Sequence, residues 1–391
     1  MTEPVWITGI GLVSSLGEGA APHLAALADP AAKPVLDETG FAPFPVHPLP
    51  PLDLDRQIPK KGDQRQMEPW QRLGTYAAGL ALDSGAARGL VGDMHLVVAA
   101  GGGERDIALD EAVAAELAPL PPAEAARLLN ERLANGLRPT LFLAQLSNLL
   151  AGNISIVHGV TGSSRTFMGE EQAAADAVRI AAARLAEGRG EIALAGGAYI
   201  AGRWDMLLPY AAGGSLWRGA WAPVAQRLAG GTDGGMVMGT AGAFLLLETE
   251  SHARARGAAG LARLTMVATG AARRRGKDTA RASTLALAEQ IRPLLRDGYA
   301  VLSGATGAAA PGTEEAGFLA DLRESGPAQG PLRYSADLIG HTVEAAFPAN
   351  LALAALALGQ DGAPAQVLVT GFGLWRGEAL ALVERIDGGA T

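Results

Sequence analysis

Short apolar runs ending in glycine recur along the chain: VWITGIG (5–11), MHLVVAAGGG (94–103), EIALAGGA (191–198), YAVLSGATG (299–307) and QVLVTGFG (366–373). They lack the polar alternation of a half-exposed sheet and so predict strands buried on both faces, with glycine where backbones crowd. VWITGIG reads as a short strand followed by a tight turn. Between the runs lie segments of helical spacing at about 68–86, in alanine-rich acidic stretches to about 135, at 141–152 with a glycine cap, and at 170–188. Glu170 and Glu171 open the last of these, where the helix dipole favours carboxylates. NISIVHG (153–159) predicts a further strand, and GTDGGMVMGTAGAFLLLE (231–248) a glycine-rich loop feeding another. Within that loop, Asp233-Gly234-Gly235 reads as close backbone approach rather than a functional turn. The alternation is that of an α/β protein. Residues 41–64 carry many prolines and neither period, which predicts a surface excursion.

Two pairs of strings echo one another: VWITGIG (5–11) with VLVTGFG (367–373), and IALAGGA (192–198) with AVLSGATG (300–307). They predict two similar α/β halves.

Composition then narrows the function classes. Of 391 residues, 49% are hydrophobic and 18% charged, which suits an extensive core and excludes a disordered chain. Cysteine is absent, so disulfides, thiolate metal sites, iron–sulfur clusters and a cysteine nucleophile are all excluded. A net charge of −8 with 5% aromatics gives no footprint for nucleic acid. The opening MTEPVWITGIG lacks the basic and long apolar regions of a secretion signal, and the apolar stretches at 192–202 and 349–359 are too short to span a bilayer. A cytoplasmic protein without a membrane span is expected. His23, His47, His95, His158 and His252 are scattered without metal-binding spacing, so no metal is expected. GIGLVSSLG (9–17) has Ser14 where a dinucleotide loop needs its third glycine, and no nicotinamide or other cofactor is expected. The basic run ARRRGK (272–277) reads as a solvated loop.

Five strings, in one order, carry a resemblance that spans nearly the whole chain: VWITGIGLVSSLGEG (5–19), LLAGNISIVHGVTGSS (149–164), DGGMVMGTAGAFLLLETESHARARGA (233–258), IGHTVEAA (339–346) and GFG (371–373). Together they resemble the β-ketoacyl-acyl-carrier-protein synthases, thiolase-fold condensing enzymes of fatty-acid and polyketide synthesis. The resemblance implies a five-layered αβαβα architecture of two duplicated halves, 1–248 and 249–391, and an obligate dimer. Such enzymes use a cysteine at a helix N-terminus, two histidines, a lysine near the second histidine and a gating phenylalanine. Counted without gaps, the nucleophile's place falls on Glu171, the first histidine's on Gly304 (from the trailing Glu315-Ala316) and the lysine's on Ala336; His341 and the gate candidate Phe372 remain. Leu374, Arg376 and Thr240 depart further from the family pattern.

EEQAAADA (170–177) is similar to the helix start of chain-length factors, the inactive partners of type II polyketide ketosynthases. On that narrower resemblance the substituted position is Gln172, and the choice between Glu171 and Gln172 stays open. Neither supplies a thiolate. The reading is therefore a non-catalytic subunit that pairs with an active ketosynthase, engages acyl carrier protein and sets chain length. Leu141, Phe142 and Gln145, on a helix expected at 138–149, would floor the partner's acyl tunnel. The strand after that helix would pair across the dimer axis. The alternatives are residual acyl transfer or malonyl decarboxylation by Glu171 or Gln172 with His341, and a homodimeric binding or scaffold protein. His341 itself reads as a structural residue on the bland view.

Overall fold

The structure is a computed structural model that describes residues 2–29, 31–138, 141–231, 234–274 and 276–386. In chain order the first part runs β1 (Val5–Ser14), β2 (Gly17–Glu18), α1 (Ala20–Ala28), β3 (Val46–His47), α2 (Lys61–Gln66), α3 (Pro69–Ser84), β4 (His95–Ala99), α4 (Ile107–Leu117) and α5 (Pro122–Gly136). It continues with α6 (Leu141–Ala144), α7 (Leu149–His158), β5 (Ser164–Phe167), α8 (Glu170–Ala186), β6 (Ile192–Tyr199), α9 (Trp204–Ala212), α10 (Val224–Ala229), β7 (Met238–Gly239) and β8 (Ala241–Thr249). The second part runs α11 (Glu250–Ala255), β9 (Ala262–Gly270), α12 (Thr279–Ile291), β10 (Tyr299–Ser303), α13 (Ala309–Ser325), β11 (Gln329–Tyr334), α14 (Ala336–Ile339), α15 (Ala346–Leu358), β12 (Gln366–Phe372) and β13 (Glu378–Glu384).

The sheet order exposes a repeat. One set of strands lies in the order β5-β4-β6-β8-β1 and the other in the order β11-β10-β12-β13-β9. Numbered within its own half, each set reads 3-2-4-5-1, and in each the fifth strand is antiparallel to its neighbours. The halves meet where β1 pairs with β9 at Trp6↔Arg263 and Ile7↔Ala262. Helices α8 and α15 lie between the sheets, α3 and α7 cover the outer face of one, and α12 and α13 cover the outer face of the other. The architecture is the five-layered αβαβα thiolase-like fold.

Side-chain size explains the layers. Along β8, Ala241, Ala243, Leu245 and Leu247 face the central core, while Phe244 and Leu246 face the outer helices. Along β13, Ala379, Ala381 and Val383 face inward, and Leu380 and Leu382 outward. The uniformly apolar runs are thus two interleaved period-2 patterns, one for each buried face. The central face is largely alanine and valine, and α8 meets it with Ala173, Ala174, Ala177 and Ala181, so backbones approach closely.

Several expected elements shift. Residues 153–159 form no strand: they belong to α7, whose C-cap Gly159 adopts φ 77°. The helices expected at 138–149 and 141–152 are broken: residues 141–144 form the single turn of α6, an irregular link follows, and residues 149–152 open α7, with residues 139–140 outside those described. The sheet-edge strand next in sequence is β5. β1 does not end at Gly11 but runs to Ser14, and its glycines are central: a Cβ on Gly11 would overlap the carbonyl of Ala77 in the crossing helix α3. The GIGLVSSLG string therefore lies within a strand up to Ser14. The proline-rich excursion is partly buried, because β3 pairs with β7 and Ile58 is fully enclosed. The string echoes also misalign, since β1 and β12 hold places 1 and 4 of the repeat, and β6 and β10 hold places 4 and 2. Asp233 and Arg275 lie outside the described residues.

The layered core predicts a contrast in stability. Leu351→Ala in the fully buried centre of α15 should cost about 2–5 kcal/mol, whereas Leu332→Ala, 37% exposed on edge strand β11, should cost under about 0.5 kcal/mol. Urea denaturation midpoints of the two variants check this, and equal losses would contradict the assignment of the central layer.

Candidate functional site

The turn from β5 into α8 is sharp because two successive residues adopt positive φ, Gly169 at 131° and Glu170 at 52°. A non-glycine residue in that region is uncommon and is held by its surroundings. Arg376 reaches Glu170 at 3.5 Å, and the turn delivers the next side chain, Glu171, into the protein beneath the helix end. There Glu171 Oε1 lies 2.8 Å from His341 Nε2. An ionised carboxylate only accepts, so the imidazole donates through Nε2–H.

His341 reaches this point because the chain turns at Gly340, φ 71°, and bridges β7 through reciprocal backbone bonds with Val237 and Gly239. Burial pushes the Glu171 carboxyl up, but the hydrogen bond and charge of His341, together with the backbone amides of Glu171 and Leu374, hold it below the usual carboxylate range. The pair joins the first part of the chain to the second at the N-terminal ends of the two central helices.

The remaining expected positions fall out unevenly. Gln172 lines the same small space, but its amide donates to Asp176 at 2.8 Å, one turn along α8, and does not touch His341. Gly304 faces the pair's cavity, and its amide donates to Thr370 Oγ1 at 3.1 Å; a Cβ there would lie 2.5 Å from the Thr370 carbonyl and 3.2 Å from the Asn350 amide. Phe372 closes one side, buried at the end of β12, with its ring 6.0 Å from that of Phe318. Ala336 is elsewhere, buried in α14 against Val224 and Ala305. The cavity left among Glu171, Gln172, Gly304, His341, Asn350 and Phe372 is only about 20 Å³, room for roughly one water.

Leu141, Phe142 and Gln145 do not line this cavity. Phe142 is 70% exposed, Leu141 is half-buried, and the Gln145 amide donates to the Glu104 carbonyl on the rim of a second, larger cleft.

That cleft, about 400 Å³, is lined by Trp70, Tyr199, Arg203, Tyr210, Glu344 and Trp375 among others. Gln145 and Glu170 in its lining stand out in the sequence, whereas Glu344 and the neighbouring Glu104 do not. The available signal was a carboxylate inside the apolar string VEAA, Glu344, and another directly after the glycines 101–103, Glu104. Arg203 binds Glu104 at 2.9 Å and also Asp205, and burial pushes the Glu104 carboxyl up against that pull. The other histidines serve the scaffold: His23 bonds Ser14, His95 bonds Ser163, His158 bonds the Thr75 carbonyl and His252 bonds Glu248. Among the described residues no cluster of three or more His, Asp or Glu is arranged to hold a metal, and no helix is long and apolar enough to cross a membrane.

The model of the β-ketoacyl synthase N-terminal domain matches residues 51–253, about half of the chain. No curated protein matches by sequence. The ishigamide ketosynthase/chain length factor superposes with a TM-score of 0.78 at 17% identity, covering 99% of this chain and 100% of that one. A type II polyketide acyl-carrier protein complex with its ketosynthase bound to the hexaketide gives 0.74 at 17% identity, covering 99% and 100%. A β-ketoacyl synthase from Burkholderia phymatum gives 0.75 at 17% identity, covering 98% and 100%. At these identities the likeness is one of fold.

The depressed Glu171 carboxyl stabilises the fold at neutral pH, and that contribution drains away as pH falls through its lowered folded value. Glu171→Gln should cost about 1–3 kcal/mol at pH 7. In a ¹³C-carboxyl NMR titration the Glu171 resonance, assigned by its loss in that variant, should titrate below the ordinary glutamate midpoint of about 4.3. A midpoint at or above that value would contradict the ion pair.

Proposed function

Because this chain belongs to the β-ketoacyl synthase family, we propose that it is a non-catalytic subunit, of chain-length-factor type, which pairs with an active ketosynthase and shapes the acyl tunnel of that partner. The observation that carries this reading is the Glu171–His341 contact in a cavity of about 20 Å³. Condensation needs a nucleophile that forms and releases a thioester, and donors for the developing enolate oxygen. A buried carboxylate already bonded to the one remaining histidine offers neither. It also repels the carboxylate of a malonyl unit. Gly304 cannot take up the missing donor without displacing Thr370 and Asn350.

The surface supports a partner. β5 ends the sheet with a free edge, a ready template for pairing with another strand. Close to it in sequence, Ile156 is 71% and Met168 64% exposed, and such apolar surface marks association. On this reading β5 lies along the equivalent strand of the ketosynthase, and Phe142, with Leu141 and Gln145 behind it, reaches toward the partner's tunnel. Acyl carrier protein, as the bearer of the growing chain, engages the assembled pair.

Co-expression with an intact ketosynthase, followed by size-exclusion chromatography with mass determination, should give a 1:1 complex. Extension of malonyl and acyl carrier protein substrates by that complex should yield a shifted product length when Phe142 is changed to Ala, while Glu171→Cys alone should restore no condensation to this chain. A lone homodimer with no influence on extension would favour a scaffold. Carbon dioxide released from malonyl carrier protein by this chain alone would favour residual decarboxylation.

A further inference from the structure

The larger cleft has chemistry that the closed pair beneath it does not use. Glu344 sits in the helical turn Val343–Ala345 immediately before α15 and is 6% exposed. It faces into the cleft beside Gly101, where a Cβ would lie 2.6 Å from Glu344 Oε1. Among the described residues no side chain donates a hydrogen bond to its carboxyl. The groups around it come from every packed element: Glu170 and Glu171 on α8, Tyr199 at the end of β6, Tyr210 on α9, Arg203 and Asp205 at the start of α9, and His341 on its own segment. The cations among these are committed. Arg203 holds Glu104 and Asp205, His341 holds Glu171, and at the cleft mouth Arg105 holds Asp110 at 2.6 Å.

Three buried side-chain atoms in the same lining have no partner: Trp70 Nε1, which can only donate, Tyr199 Oη, which can donate or accept, and Asp205 Oδ1, which accepts. Among the described residues the cleft thus holds a buried carboxyl, Glu344, with no cation left free to match it, and a buried charge without a partner is costly. Part of its wall is apolar and aromatic: Trp375 stacks on Tyr210 with ring centroids 5.1 Å apart at 10°, and Trp70 and Met206 also line the cleft. Aromatic faces beside an unpaired carboxylate suit an organic cation. Anionic ligands meet like charge, and a metal ion lacks a ligand set.

We propose that this cleft binds an alkylammonium-class ligand, its charged head on Glu344 and its apolar stem between Trp70, Met206 and the Tyr210–Trp375 pair. The volume of about 400 Å³ suits a small molecule of this kind. Binding is coupled to a proton. Burial, with the charges of Glu171 and Glu170, pushes the empty Glu344 carboxyl up to about 8, against the pull of its own backbone amide. The ammonium takes the ionised form, so one proton leaves as the ligand enters, and affinity rises with pH until the carboxyl is ionised without help.

The test is isothermal titration of the full chain with n-hexylammonium, hexanol and hexanoate. The proposal expects one n-hexylammonium per chain, no binding of hexanol or hexanoate at the same concentrations, and about 25-fold tighter binding at pH 8.5 than at pH 6.5. Glu344→Gln should weaken binding at least tenfold. Trp375→Ala, at a residue 48% exposed whose loss the fold should survive, should weaken it severalfold and serves if the first variant does not fold. Equal binding of hexanol or hexanoate, no binding of n-hexylammonium, or wild-type affinity in a folded variant would each overturn the proposal. Association with a ketosynthase is read separately by chromatography of the wild-type chain, so either idea can fail alone.

Discussion

The hydrogen bond between Glu171 and His341 sets the limits on what the centre of this molecule can do. A carboxylate carried into the protein by a sharp turn must find a donor, and the imidazole is the side-chain donor recorded for it. Once the two are joined, the volume that a substrate would need is reduced to about 20 Å³. The contact also ties the start of α8 to the loop that precedes α15, so the two central helices are fixed at the same end by one interaction between distant parts of the chain.

The joint sits where the layered core makes it necessary. Two sheets of the same 3-2-4-5-1 order close on a central layer built from small residues, and beside α15 a side chain at Gly304 would collide with the Thr370 carbonyl. A site at the ends of the central helices inherits this tightness. The cleft above is less tight because, beside Ala198 and Tyr199 at the end of β6, it is bounded by α9, the loop 101–105 and Trp375.

How much of this was legible in the sequence depended on the kind of signal. Strands buried on both faces announce themselves as continuous apolar runs, and β4, β6, β8, β10 and β12 lie where such runs are. The same logic fails for NISIVHG, where β-branched residues read as strand but the packing of Leu150, Ile154 and His158 at helical spacing against the outer core makes α7. Glycines at strand ends pointed to a repeat, yet the echoed strings occupy unlike places in it, because crowding at a strand end is common to several positions of this fold. Glu171 and Gln172 are neighbours about 100° apart on a helix, so a string comparison with one gap cannot separate them. The contact with His341 needs coordinates. Glu344 was hidden for a different reason: it is one polar residue in a run that otherwise packs as core.

The central claim is that acyl chemistry takes place on a partner while this chain carries none. Intact-protein mass spectrometry of the co-purified pair, after incubation with an acyl-loaded carrier protein, tests it directly. The account predicts that the ketosynthase gains the acyl mass and this chain stays unmodified. An acyl adduct on this chain, removed by Glu171→Gln, would contradict it.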